Sequence, residues 1–313
     1  MKILVYGAGA VGCFYGALLV RRGTHDVCFV ARGPQLAALG QIGIRIDSAL
    51  IPAVTVPAVR VVARAADAGT ADLVLLCVKA HQTPGVLADL DAAVGPDTTI
   101  VPLQNGVESD ALLAERYGWP RVVTAVVYVG ASLSGPGVVR HAAAGSITLG
   151  VRPGGDRSRL DVVSRACAQA GIETTVADDI ERERWLKLLW NAGFNTVTAL
   201  TLRLPEELMA LPPARALVRA VMEEVVAVAR RRGLALHASD IEGHLAFSSM
   251  SRGIRTSMME DRTRGRPMET DALIGVVVRE GRALGVPTPA SAAVHALLAA
   301  IDAAPRPPGE TPA

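Results

Sequence analysis

The chain has little of what marks several large protein classes. Its 313 residues include only four cysteines. These are Cys13, Cys28, Cys77 and Cys167, and no two form a CxxC pair. Each sits in an apolar helix or strand pattern, so they read as buried thiols. That excludes a disulfide framework and a structural zinc site. The six histidines are scattered, with no HExxH, and no metal site is expected. Charge of one sign is also scarce: 32 Lys and Arg against 30 Asp and Glu leave a net +2. A nucleic-acid or membrane-surface binder needs a concentrated basic face, which this balance does not supply. No stretch offers the run of about 20 uncharged apolar residues that a spanning helix needs. The opening MKILVYGAG is not a signal peptide, because a glycine turn ends its apolar run early. A cytosolic protein is expected. At 50% hydrophobic and 20% charged residues, the chain is no disordered, coiled-coil or collagen sequence. Its length suits two domains.

The N-terminal half alternates strand and helix. Residues 2–6 (KILVY) read as a buried strand, Cys13 to Arg22 as a helix and Asp26 to Val30 as a second strand. Between the first two lies Gly7-Ala8-Gly9-Ala10-Val11-Gly12. A GxGxxG run in this βαβ context is a dinucleotide-binding signal. Gly7 permits the tight turn, Gly9 lets a pyrophosphate approach the backbone, and Gly12 allows close helix–sheet packing; the helix N-terminus faces the phosphates. Past the second strand, the place of the acid that accepts from a ribose 2′-OH is taken by Arg32. No competing carboxylate is seen in the sequence nearby. A guanidinium suits a 2′-phosphate, so NADP(H) is the expected cofactor.

Further along, 43–46 and 54–56 read as an inserted hairpin. Asp72 to Val78 and Thr98 to Leu103 read as buried strands, ending at Lys79 and Asn105. Ligands of open α/β sheets lie beyond such strand ends. Lys79 and Asn105 are thus candidates for cofactor or substrate contact; the lesser alternatives are a solvated strand end for Lys79 and a turn before Gly106 for Asn105. Val122 to Val129 reads as a strand. Residues 137–141 and 146–150 read as a hairpin through an Ala/Gly-rich turn, followed by a helix over 157–170 and a strand over 172–176. A boundary near Asp178 or Asp179 is expected.

Beyond residue 180 the period becomes helical. Helices are expected over 181–200, 214–232, 237–249, 268–284 and 290–303, punctuated by prolines. A stripe of Leu217, Val221, Val225 and Val228 suits a packed helix. Lys187, Asn191 and Asn195 are spaced i, i+4, i+8 on one face of a largely apolar segment. Polar groups there are either solvated or line a polar cleft. A second polar run, Arg255 to Asp271, reads as a loop whose four arginines, Arg255, Arg262, Arg264 and Arg266, could attract an anion. Pro267 fits the first turn of the next helix, where Glu269 and Asp271 suit the helix dipole or a site.

At this level of detail the chain resembles the ketopantoate reductase (2-dehydropantoate 2-reductase) family over residues 1–303. The resemblance is carried by GAGAVG at 7–12, Arg32, VKAHQ at 78–82, LQNG at 103–106, KLLWNAGFNTVTAL at 187–200 and SMMEDRTRGRPMETD at 257–271. It implies an α/β Rossmann-type NADP-binding domain over 1–178, followed by an all-α C-terminal substrate and catalytic domain over 179–303; the Pro-rich, polar stretch over 304–313 reads as a flexible tail. The family's active site lies in the cleft between its domains. The resemblance further implies reduction of 2-dehydropantoate by NADPH to pantoate, on the route to pantothenate and coenzyme A. Lys187 would be catalytic. Asn105, Asn191, Asn195, Ser257 and Glu269 would bind the anionic 2-oxo acid. Gly7, Ala8, Gly9, Ala10, Val11, Gly12, Arg32, Lys79 and Asn105 would bind the cofactor. Two positions depart from the family pattern: Ile254 and Ile274 stand where well-known members carry asparagine. They keep open another branched 2-oxo acid as substrate. A non-catalytic NADPH sensor is a further alternative. A homodimer is possible for the apolar helical half, and neither a nucleic acid nor a membrane is an expected partner.

Overall fold

The computed structural model describes residues 1–303. The expected tail over 304–313 lies outside the described residues. The chain divides into two compact units, Met1–Ile180 and the part from Glu181 onward.

The first unit is built on a parallel sheet. Its elements are β1 (Lys2–Tyr6), α1 (Ala10–Arg21), β2 (Asp26–Val30), α2 (Gly33–Gln41), β3 (Ile44–Ser48), β4 (Val54–Val56), β5 (Arg60–Val62), β6 (Ala71–Leu76), α3 (Thr83–Leu90), β7 (Val94–Pro102), α4 (Ser109–Tyr117), β8 (Thr124–Gly135), β9 (Val138–Gly150), α5 (Arg157–Gln169) and β10 (Thr174–Val176). The main sheet has the order β5-β2-β1-β6-β7, and every neighbouring pair is parallel. The chain leaves β1 toward β2 and later returns on its other side at β6. That reversal opens the crevice in which α/β sheets bind ligands. Alternation along β1 serves two cores. Ile3 and Val5 pack with Phe14, Leu39 and Ile46 on one side, while Leu4 and Tyr6 pack with Val74, Leu90 and Leu113 on the other. A strand buried on both faces reads as an unbroken apolar run, which is what KILVY shows.

The hairpin expected at 43–46 and 54–56 forms: β3 and β4 pair antiparallel, with Ile44 opposite Val56. They join a second sheet of order β10-β9-β3-β4, with β8 paired to β9. Here the structure differs from the sequence expectation. The turn of the long β8–β9 hairpin lies at Pro136-Gly137, and the Ala/Gly stretch runs through β9 as an irregularity, with Ala144 at φ 55° and Gly145 at φ 128°. The cause is a change of partner. β9 pairs with β3 over 138–141 and with β10 over 147–149, and the bulge falls between. A bulge bends a strand at such a handover.

The second unit is helical: α6 (Ile180–Trp190), α7 (Thr196–Thr201), α8 (Pro205–Ala210), α9 (Pro212–Arg231), α10 (Ala238–Met250), α11 (Ser257–Thr263), α12 (Val276–Leu284) and α13 (Pro289–Ala303). The expected helix over 181–200 is continuous in direction but contains a π-helical turn at Asn191–Asn195. A second π turn, Asp271–Gly275, precedes α12, and the two turns pack together. On α9 the buried stripe is Val218, Val221, Val225 and Val228; Leu217 is only partly covered because Val218 takes the core-facing position. The polar run expected as a loop contains α11. Pro267 precedes the next helix rather than opening it: the helical residues begin at Thr270, because the Asp302 carboxylate accepts the Met268 N–H (3.3 Å) and the Thr270 hydroxyl (3.4 Å) there. Among the described residues no helix is long and apolar enough to cross a membrane.

Candidate active site

In the first unit, the turn after β1 separates its three glycines by cause. Gly7 has φ +102°, and a Cβ on it would lie 2.8 Å from Val78. A Cβ on Gly12 would lie 2.1 Å from the Gly7 carbonyl oxygen. The loop's own packing therefore demands both. Gly9 is different: its φ of −75° suits any residue, and a Cβ there would meet nothing within 4 Å. The fold does not require glycine at that place, whereas a ligand lying against the backbone does. Gly9 is also the N-cap of α1, with no side-chain cap and no acid in the first turn. The first intrahelical bond runs from Cys13 N–H to Gly9 C=O (2.9 Å). The N–H groups of Ala10, Val11 and Gly12 thus have no partner within the helix, and the positive end of its dipole lies beside the open space. Ala8 completes the turn through its N–H, bonded to the Val30 carbonyl. These residues fit a dinucleotide's pyrophosphate.

Arg32 is the exposed N-cap of α2. The Tyr6 hydroxyl donates to Asp89 Oδ2 of α3 (2.7 Å). Asp89 accepts the Ala65 N–H as well (3.2 Å). Lys79 and Asn105, both half-buried, follow β6 and β7 as expected. Gln104 locks these two strand ends together. Its amide donates to the Val78 carbonyl and the Thr83 hydroxyl, each at 2.8 Å, while its Oε1 is buried with no partner among the described residues. Sequence reasoning did not select Gln104, Tyr6 or Asp89. Only the LQNG motif pointed at the first of them.

In the second unit, α6 and its π turn carry Lys187, Asn191 and Asn195. Four α-helical residues overshoot a full rotation by about 40°, and the wider π turn takes back this drift, so the face stays aligned. Gly193 lets the turn sit against α9, since a Cβ there would lie 2.9 Å from Met222. Asn191 and Asn195 are buried, at 4% and 3% exposure. Asn195 Nδ2 donates to Asn191 Oδ1 (3.3 Å), and Asn195 Oδ1 is buried without a partner among the described residues. An orphaned buried acceptor costs about 1–3 kcal/mol unless a ligand supplies a donor. Lys187 and Glu269 interact. Burial lowers the lysine pKa from 10.5 to about 8, and the Glu269 charge opposes that fall. Glu269 itself is 4% exposed.

Ser257 stands apart from this buried group. It is exposed in the first turn of α11, directly after the N-cap Thr256. A hydroxyl chain still ties it to the π turn: Thr198 Oγ1 donates to the Asn195 carbonyl (3.1 Å) and meets Thr256 Oγ1 at 2.7 Å. The four arginines of this region do not form an open cationic field. Arg255 and Arg264 pair with Glu260, Arg266 pairs with Asp261, and Arg262 donates to the Ala199 and Leu200 carbonyls at the end of α7. These partners hold each guanidinium, and the two carboxylates offset part of the cluster's positive charge. Of the two departures from the family pattern, Ile274 is fully buried in the helical core, whereas Ile254 is only half-buried.

Comparison with known proteins agrees with both units. Residues 3–154 match the sequence family described as ketopantoate reductase PanE/ApbA, and residues 179–302 match its C-terminal counterpart. The 2-dehydropantoate 2-reductase of Mesorhizobium japonicum is 33% identical over 323 residues, covering 95% of this chain and 97% of that protein. The crystal structure of 2-dehydropantoate 2-reductase from Geobacter metallireducens is 32% identical, covers 96% of this chain and 99% of its own, and superposes with a TM-score of 0.91. A ternary structure of D-mandelate dehydrogenase with NADH and anilino(oxo)acetate shares the fold at a TM-score of 0.88 and 22% identity, covering 96% and 98% of the two chains.

Proposed function

We propose, for a chain that belongs to the ketopantoate reductase PanE/ApbA family, that it reduces 2-dehydropantoate to pantoate with NADPH. Membership makes it an oxidoreductase of this general type; the substrate and the choice of NADPH are the finer reading. The observation that carries the reading is the Lys187–Glu269 pair beside the buried Asn191–Asn195 amides and their orphaned acceptor.

Bound NADPH supplies the hydride that reduces the ketone carbon. The chain's own residues then account for the rest. Gly7 to Gly12 and the α1 N-terminus hold the pyrophosphate, Arg32 takes the 2′-phosphate, and Lys79 and Asn105 contact the cofactor from the neighbouring strand ends. Negative charge grows on the ketone oxygen as it is reduced. Lys187 stabilises that oxygen and gives it the proton held on Nζ. A pKa of about 8 suits this work, because the lysine is mostly protonated at neutral pH yet parts with its proton more readily than an ordinary one. Glu269 accepts from the substrate's 4-hydroxyl, and Asn105, Asn191, Asn195 and Ser257 orient its carboxylate and carbonyl.

A second reading keeps this machinery and changes the acid. Ile254 offers an apolar side chain, still partly exposed, where family members offer an amide. The shared fold of a D-mandelate dehydrogenase shows that the scaffold alone does not choose the substrate. The deciding experiment is NADPH oxidation with 2-dehydropantoate beside branched 2-oxo acids that lack the 4-hydroxyl. The highest kcat/KM for 2-dehydropantoate supports the first reading, and a higher value for an analogue supports the second. No oxidation with any of them would contradict both and leave a non-catalytic NADPH binder.

A further inference from the structure

Gln35 stands in the first turn of α2, three residues after the N-cap Arg32, where a glutamine commonly reaches back to cap its own helix. Here the half-buried side chain joins two other segments instead. Its Oε1 accepts the Gly137 N–H at the turn of the β8–β9 hairpin (3.0 Å). Its Nε2 donates to the Ala8 carbonyl in the glycine turn (2.9 Å) and to Cys13 Sγ of α1 (3.2 Å).

Each hydrogen in this cluster has a place. Oε1 faces an N–H, which fixes the orientation of the amide and sends both Nε2 protons toward Ala8 and Cys13. The Cys13 thiol gives its own proton to the Ala8 carbonyl (3.3 Å). Burial pushes the thiol pKa up to about 12, against the opposing Gln35 hydrogen bond, so that proton stays. The Ala8 oxygen therefore receives two donors, and the Ala8 N–H is held by the Val30 carbonyl (3.1 Å). Both backbone groups of Ala8 are clamped.

A peptide unit is planar and trans, so its C=O and the following N–H point in opposite directions. With the Ala8 carbonyl held on the Gln35 and Cys13 side, the Gly9 N–H faces the other way, and no group among the described residues accepts it. It adds a donor to those of Ala10, Val11 and Gly12 at the start of α1. Glycine places little steric limit on rotation of its peptide units. A rotated Ala8–Gly9 peptide would turn a carbonyl oxygen toward the phosphates in place of an N–H.

We infer that Gln35 is a positioning residue: by holding the Ala8 carbonyl it aims the Gly9 N–H at the pyrophosphate of the dinucleotide. This rests on the placement of the pyrophosphate proposed above and extends it to a side chain that acts through the turn. It does not depend on the choice of NADPH, since the pyrophosphate is common to NADPH and NADH.

The test is titration of the full chain with NADPH and with NADH, followed by nicotinamide fluorescence with no 2-oxo acid present. The proteins are the unmodified chain, Gln35→Met, Gln35→Glu and Gly9→Ala. Adenosine 2′-monophosphate, followed by its displacement of NADPH, is the probe that lacks 5′-phosphates. Gln35→Met keeps most of the side chain's bulk and removes its hydrogen bonds. It is expected to weaken both dinucleotides by the same factor, about fivefold or more, with less than about a twofold change for adenosine 2′-monophosphate. A residue that only steadied α2 would cost that probe affinity as well. Gln35→Glu keeps the acceptor for Gly137 and loses the donors to Ala8 and Cys13. It should bind the dinucleotides no better than Gln35→Met, and gives a second reading should that variant fold poorly. Unmodified dinucleotide affinity in either Gln35 variant, or an equal loss for adenosine 2′-monophosphate, would overturn the role of Gln35. If Gly9→Ala weakens both dinucleotides and the Gln35 variants do not, this inference alone fails. If Gly9→Ala binds both normally, the pyrophosphate does not lie against this turn and the inference falls with that placement. Equal affinity of the unmodified chain for NADPH and NADH would sink only the choice of NADPH, and the two dinucleotide titrations would still decide the role of Gln35.

Discussion

The carboxylate of Glu269 draws the Lys187 ammonium back toward ionisation, against a burial that lowers its pKa to about 8. The two effects have opposite signs, so each can be removed separately.

The first prediction concerns rate. A lysine that donates its proton must hold one, so kcat for ketone reduction should fall as pH rises through about 8. Glu269→Gln removes the contribution that raises this pKa. The alkaline limb should therefore move toward lower pH, even where substrate is saturating. A limb that stays in place, or moves the other way, would show that the titrating acid is not Lys187 under the influence of Glu269.

Stability should carry the same signature with its own sign. The folded chain loses the Lys187 proton near pH 8 and the unfolded chain near 10.5. Between these values the unfolded chain binds more protons, so this residue's contribution to stability rises with pH across the window. Below it, holding the buried ammonium costs on the order of 3 kcal/mol. Lys187→Met should raise Tm at neutral pH, with the gain shrinking toward pH 10.5. A loss of Tm that does not vary with pH would contradict this assignment.

The glycine turn separates folding from binding. Gly12→Ala forces a methyl group to within 2.1 Å of a carbonyl oxygen, and should lose roughly 1–3 kcal/mol of stability by urea unfolding. Gly9→Ala meets open space. It should unfold within about 0.5 kcal/mol of the unmodified chain yet bind NADPH at least about tenfold more weakly, a loss of some 1.4 kcal/mol. Normal binding by Gly9→Ala would mean that the space before α1 does not hold the pyrophosphate.

These expectations show which parts of the molecule the sequence makes legible. The βαβ unit could be read because its signals are local: KILVY, the glycine run and the following helix lie within 30 residues. The helices of the second unit were marked by proline and by their apolar period. The β8–β9 hairpin was misread because Ala142 to Gly145 has turn composition, while the bulge there answers to β3 and β10, whose pairing is not local. The π turns at Asn191 and Asp271 leave the apolar period almost unchanged, so nothing in the pattern announces them. The same limit hid the hydrogen bond from Tyr6 to Asp89, since 83 positions separate the two in sequence. It also hid Glu260 and Asp261 as the partners of arginines that looked free.

The most direct test of the account is Lys187→Ala, assayed for single-turnover reduction of 2-dehydropantoate beside a titration of NADPH binding. Loss of the proton donor should slow the chemical step by about 100-fold or more, while NADPH affinity stays within about threefold. Reduction at the unmodified rate would contradict the assignment of Lys187 as the acid on which the proposed reaction depends.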